Sequence, residues 1–467
     1  MKLNLLSFLG LVVSFIALGL SIAALKQSML TNGDAEKSQE LAASDAAPVS
    51  APASSTARPA GGAATAPKTG VETKSAALIL PSQDAPATKE ELEADAQSTV
   101  NLLLAKMPGD SRALHVSAML NAQLHNTEEA ITLWGRCIEL DPQVEQYYVN
   151  LAAAALERGD GPLAITTLEK ALQNGFASPD VLHHLSIARL NTGQASEAAK
   201  LAENTLLTYP QSGAMRLILG QAQLKLGELE SAELNLRKAI ELGVRSKSAY
   251  FSLFNVCTRL GKKEDAQQFQ EIYTSFKEKK VDVNERFAVL SESEARSVCV
   301  TVLMEAANLY RTSKLNQEVE HHLLRVMALD ASNRAACQEL AQFYAREKQF
   351  AEELVARERL IKLEPVNLIN YLLAARAAAN TGNATQAEAF IKLAISLSPH
   401  TATGYAAMGE FLVEQQQPEK AVWYIQRAIA IVPSRSGFEL LARALRASGR
   451  ESDAQSADEA GRKIANN

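Results

Sequence analysis

The chain has 467 residues, 21% of them charged, and a formal net charge of −6, which excludes a nucleic-acid binder that works by neutralising phosphates with a basic surface. Aromatic residues make up 5% and there are four cysteines, too few for base-stacking platforms or a disulfide scaffold. Hydrophobic residues reach 47%, with alanine abundant, a composition that favours helices.

Residues 3–25 contain no charged side chain and are mostly Leu, Val, Ile, Phe, Ala and Gly. As a helix this stretch spans roughly 35 Å, enough to cross a bilayer core of about 30 Å with some tilt. An uncleaved membrane anchor is predicted within residues 1–30. The alternatives are a secretory signal cleaved near Ser21-Ile22-Ala23 and a buried soluble helix. Lys2 and the amino terminus precede the span, while Lys26 and the acidic Asp34, Glu36 and Glu40 follow it. This weak bias puts the N-terminus in the cytoplasm and the C-terminal body on the periplasmic or extracytoplasmic side. A cleaved signal would export the body too; a cytoplasmic body is the remaining alternative. Ser7, Gly10, Ser14, Ala17, Ser21 and Ala24 form a seam of small residues at alternating spacings of 3 and 4. Such a seam predicts close pairing with a second copy, giving a homodimer, or with another membrane helix.

Residues 31–86 are punctuated by Pro48, Pro52, Pro59, Pro67, Pro81 and Pro86 among Ala, Ser, Thr and Gly. They carry neither helical nor strand periodicity and too little apolar surface to offset the entropy of ordering. They read as a flexible tether of roughly 40 Å that holds the body off the membrane.

Beyond the tether the sequence repeats. Ala130, Ala164, Ala198, Ala232 and Ala266 lie 34 residues apart, and Gly159, Gly193, Gly227 and Gly261 keep the same step. Ala387, Ala421 and Ala454 extend the pattern if the turn around Pro433 is one residue shorter. A unit of this length suits two antiparallel helices, with glycine closing the first and the alanine letting the second approach it. Prolines at 142, 210, 365, 399 and 433 then stop the second helix.

These residues resemble the tetratricopeptide repeat. That family's positions 4, 7, 8, 20, 24 and 27 are filled in residues 145–178 by Tyr148, Leu151, Ala152, Ala164, Leu168 and Ala171. Residues 402–434 match with Tyr405, Met408, Gly409, Ala421, Ile425 and Ala428. The resemblance implies an all-α solenoid of about ten helix pairs in two arrays. Residues 87–280 hold a capping helix and the first array, 281–299 a joint, and 300–467 the second array. Ser291 and Glu294 form a capping box inside the joint, so the next helix is expected to start early. Val319 and Glu353 replace the small residue of position 20, where a looser fit is expected.

No catalytic motif stands out, and no metal or cofactor is expected. His183-His184 and His321-His322 are neighbours whose side chains diverge by about 100° on a helix, so they read as solvated rather than as metal ligands. Cys137, Cys257 and Cys337 fall at packing positions and read as small core hydrophobes. The resemblance implies a concave groove lined by the first helix of each unit. In the first array its track includes the apolar Met119, Val149, Leu156, Ile187, Leu190, Leu217, Leu224 and Phe251. In the second it includes Asn308, Arg311, Gln342, Arg346, Arg376 and Asn380. Either these residues pack on neighbours and face solvent, or they hold an extended peptide, apolar side chains first and carboxylates or backbone against the arginines. The expected function is a non-enzymatic, membrane-tethered scaffold for protein or peptide partners, in envelope assembly or secretion. The alternative is a subunit that positions an enzyme within a membrane complex.

Overall fold

Proline and capping signals recur along the chain, and the helices follow them. The computed structural model describes residues 86–278 and 290–464, all within the unit Lys68–Asn467. The predicted anchor, its seam and nearly all of the tether lie outside the described residues. Among the described residues there are 21 helices and no strand, and no helix is long and apolar enough to cross a membrane.

Helix α1 (Lys89–Lys106) precedes ten antiparallel pairs. The first five are α2 and α3 (Ser111–Gln123, Thr127–Leu140), α4 and α5 (Glu145–Arg158, Gly161–Gln173), α6 and α7 (Pro179–Asn191, Ala195–Thr208), α8 and α9 (Gly213–Leu226, Leu229–Glu241), and α10 and α11 (Lys247–Arg259, Lys263–Glu278). The second five are α12 and α13 (Glu292–Thr312, Asn316–Leu329), α14 and α15 (Arg334–Arg346, Phe350–Leu363), α16 and α17 (Leu368–Asn380, Ala384–Leu397), α18 and α19 (Ala402–Glu414, Pro418–Ile431), and α20 and α21 (Arg435–Ala447, Glu451–Ile464).

Local chemistry sets these boundaries. Eight of the ten first helices open on side chains that accept from the exposed backbone N–H groups, as Asp110, Ser178, Ser212, Asn333 and Ser434 do. The turn inside each pair puts one residue in left-handed backbone. Six pairs place glycine there, with φ from +72° at Gly261 to +87° at Gly227. The other four use His125, Lys314, Lys348 and Gln416 at φ +57° to +61°. Between units, position-4 tyrosines tie the proline turn, since the Tyr148, Tyr371 and Tyr405 hydroxyls donate to the carbonyls of Pro142, Pro365 and Pro399 at 2.9–3.2 Å. Within units the small residues are required by distance. A Cβ on Gly220 would lie 2.6 Å from Leu236 Cγ and 3.1 Å from the Ala232 carbonyl oxygen.

Chain order does not predict how the arrays meet. The Ser291 capping box forms and α12 starts at Glu292, giving a helix of 21 residues that begins before position 300. Its tertiary neighbours are α1 and α2, at the start of the first array. Leu92, Val100 and Leu103 of α1 share one buried cluster with Cys299, Val302 and Leu303 of α12. Contacts fix the directions. Asp95 receives the Cys299 thiol at 3.4 Å, and the Lys106 ammonium sits 5.8 Å from the Tyr310 ring centroid, so α1 runs parallel to α12. The Arg112 guanidinium at the start of α2 donates to the Thr312 hydroxyl at the end of α12 (3.1 Å), so α2 runs antiparallel to it. Ion pairs Asp95–Arg325 and Lys106–Glu318 bind α1 to α13 as well. Helix α1 is therefore more than a cap on the first array; it is the element shared by both.

The left-handed turns yield a prediction. Replacing His125, Lys314, Lys348 or Gln416 by Gly removes Cβ strain of about 1–2 kcal/mol and adds unfolded-state entropy of about 0.5–1 kcal/mol. Each change should stabilise the fold modestly, read as a higher urea midpoint with an unchanged slope. The same substitution at Lys225, inside α8, should lower it.

Candidate functional site

The first helices of the first three pairs place their groove positions on one surface. His115 and Met119 of α2, Asn150 and Leu156 of α4, and Ile187 of α6 border a groove of about 850 Å³. Trp134 of α3 contributes its indole edge and donates Nε1–H to His115 Nδ1 at 3.0 Å. Burial holds the His115 pKa below its ordinary value, so the ring is neutral at pH 7. Because Nδ1 accepts, the remaining proton is on Nε2 as a hydrogen-bond donor. Gln146 Nε2 donates to Asn150 Oδ1 at 2.7 Å, which holds an amide pair on the groove wall. Apolar contact and amide hydrogen bonding are thus offered side by side, a combination suited to an extended backbone with apolar side chains.

The expected apolar track divides. Met119, Leu156 and Ile187 line this groove. Val149 and Leu190 are buried against neighbours, and Leu217 and Leu224 pack on the cluster around Leu236 and Leu253. Phe251 is 43% exposed, its ring 5.0 Å from Tyr273 and 6.5 Å from Phe254.

The expected cationic track is mostly paired. Arg311 donates to Asn308 Oδ1 at 2.6 Å and lies 3.9 Å from Glu339, and these residues edge a pocket of about 250 Å³. Arg376 donates to Glu353 at 3.3 Å. Gln342 is half-buried on α14, while Arg346 and Asn380 are exposed at the ends of α14 and α16. Sequence reading missed the interleaved carboxylates: Glu305 and Glu339 at the joint, and Glu410 beside Arg443 (3.6 Å) further on. Glu410 falls at the same place in its unit as Arg376, 34 residues earlier, and Glu305 and Glu339 share another place on the first helix, also 34 residues apart; that spacing is the signal that could have found them.

Glu353, at the position usually held by alanine, is 0% exposed and packs with Arg357 at 5%. The Arg357 Nε lies 3.5 Å from Glu353 Oε1, and Arg376 approaches the same oxygen. The looser fit expected here is therefore a buried charge cluster inside a regular helix pair.

Other titratable clusters are structural. His322 is 0% exposed, which corrects its reading as solvated: the long α12 and α1 cover this face. Its Nδ1–H donates to the Glu318 carbonyl at 2.7 Å. His183 and His184 are both half-buried. His183 edges a separate cavity of about 640 Å³, and His184 edges the main groove. All four cysteines are buried, and burial raises the Cys137 and Cys299 thiols to about 12 and Cys337 to about 11. Glu233, Cys257 and Asp265 cluster with metal-ligand spacing. Lys262 and Arg237 already hold Glu233 at 2.6 and 2.9 Å, Arg237 also pairs with Asp265, and burial raises the Cys257 thiol. Two cations stand where a metal would be needed.

Two outcomes follow from these groups. Arg357→Ala leaves Glu353 buried beside a missing partner and should cost about 3–5 kcal/mol in chemical denaturation. The double variant Glu353→Ala with Arg357→Leu should recover most of that loss. Burial lowers the His322 pKa, so the unfolded chain takes up its proton first. Stability should decline as pH falls below about 6.5, the ordinary imidazole value, and the loss should level off below the folded-state pKa. Thermal midpoints across pH 5–8, with an NMR titration placing His322 below that ordinary value, check this.

The tetratricopeptide-repeat family model matches residues 117–180 and 185–245, and a second model of the same repeat matches 369–401. The tetratricopeptide repeat-containing protein trd-1 of Caenorhabditis elegans is 26% identical over 122 residues, 24% of this chain and 16% of that relative's length. Among solved structures, a MamA crystal structure has a TM-score of 0.32 at 16% identity, covering 35% of this chain and 89% of its own. YrrB, described as a tetratricopeptide-repeat protein with an unusual peptide-binding site, has a TM-score of 0.26 at 15% identity, covering 54% of this chain and 99% of its own. Tetratricopeptide repeats are thus found in both arrays of this helical solenoid.

Proposed function

We propose that the chain is a non-enzymatic, membrane-tethered scaffold that captures extended segments of partner proteins in the groove of its first array. The observation that carries the reading is the 850 Å³ groove in which Met119, Leu156 and Ile187 stand beside the Gln146–Asn150 amide pair. The uncharged residues 3–25 support an anchor, and the flanking charges support a cytoplasmic N-terminus with an extracytoplasmic body. A tether of roughly 40 Å would let that body reach partners in envelope assembly or secretion.

The test uses the full chain in liposomes and a library of labelled extended peptides. The groove variant Met119→Glu with Ile187→Glu should weaken the selected peptides at least tenfold, about 1.4 kcal/mol, while leaving the thermal midpoint near that of the parent. Removing residues 1–30 should release the chain from the liposomes without changing peptide affinity. Peptide binding indifferent to the groove variant would refute the site; flotation indifferent to the truncation would refute the anchor.

A further inference from the structure

The groove does not end with the first array. Because α2 lies antiparallel against α12, Glu305 of α12 lines the 850 Å³ groove together with residues of α2, α4 and α6. The same Glu305 lines the 250 Å³ pocket formed by Met304, Asn308, Arg311 and Glu339 of the second array. The two concave surfaces therefore meet at one residue, more than a hundred positions away from Ile187 in sequence. Charge is distributed unevenly along this path. Among the described residues lining the larger groove, the formal charges at pH 7 are the carboxylates of Glu157 and Glu305, with no Lys or Arg. In the smaller pocket the Arg311 cation is held between Asn308 and Glu339, which leaves Glu305 as the excess charge.

We propose that this is one composite site shared by both arrays, and that its occupant is an extended peptide segment in which apolar side chains are followed by Lys or Arg. The proposal rests on the peptide-binding reading above and adds the partner's chemistry and the contribution of α12. Apolar side chains lie on Met119, Leu156 and Ile187, the backbone meets the amide pair, and the cation lies toward Glu305. A carboxylate-bearing segment, which the arginines of the second array would suggest from sequence, meets excess negative charge at the joint instead. Partly desolvated charge of one sign selects against its like as well as for its opposite.

The test measures anisotropy of three labelled peptides against the full chain in detergent: Ser-Leu-Ser-Leu-Lys-Lys, and the same peptide ending in Ser-Ser or Glu-Glu. The lysine peptide should bind more tightly than the serine peptide by about threefold to tenfold, and the glutamate peptide more weakly, with the spread narrowing at high salt. Glu305→Gln should bring the lysine and serine peptides to within about twofold of each other; Glu157→Gln should narrow the gap in part. Equal binding of all three, abolished by Met119→Glu with Ile187→Glu, would overturn the charge selection and leave the groove reading standing. A lysine preference untouched by both Gln variants would overturn the composite site. Binding of no peptide would overturn the proposal and the groove reading together. Displacement of the lysine peptide by unlabelled chain would assign the groove to a second copy and overturn the proposal as well.

Discussion

A two-helix unit cannot bury its own apolar stripe, so everything in this molecule depends on each unit having a neighbour. Inside an array the next unit supplies one. Among the described residues no helix pair precedes α2, and α12 packs mainly on α1, α2 and its own partner α13; without α1, α2 and α12 would each present an apolar face to water. The chain meets that constraint once for both ends. Helix α1 lies parallel to α12 and joins it and α2 in one buried cluster, from Leu92 through Val302 and onward to Leu360. Ion pairs from Asp95 and Lys106 to α13 fix the arrangement with charges that pair only in that register.

From this arrangement the groove follows. Antiparallel packing of α2 on α12 brings the inner helices of the two arrays side by side, so that Glu305 borders both concave surfaces. An array extended in chain order would instead have placed α12 after α11, and Glu305 would have faced a different set of side chains. The chemistry of the candidate site is thus a product of how the arrays start.

The second array shows how far a repeat tolerates departure from its pattern. Glu353 replaces a small apolar residue in the interior, and the helices remain regular because Arg357 and Arg376 both turn toward it. An arginine read from sequence as a groove cation or a solvated charge can equally be an interior counter-ion. Here Arg376 lies at a groove position and is drawn toward the core carboxylate, which reduces its capacity to meet an acidic ligand.

The 34-residue step, the capping residues and the prolines pointed to paired helices, because each is a local rule acting within one unit, and the resemblance to the tetratricopeptide repeat extended this to ten pairs. The burial of Cys137, Cys257 and Cys337 was legible for the same reason, as was the Ser291 capping box. The left-handed turns at His125, Lys314, Lys348 and Gln416 were hidden, since those side chains do not announce positive φ. Which apolar groove positions stay open, as at Met119 and Ile187, and which are covered, as at Val149 and Leu190, depends on the neighbouring helix. The burial of His322 and the double role of Glu305 come from contacts between segments about two hundred residues apart. Repeat periodicity carries no record of such contacts, because it describes what every unit shares and the joint is made from what these units do not share.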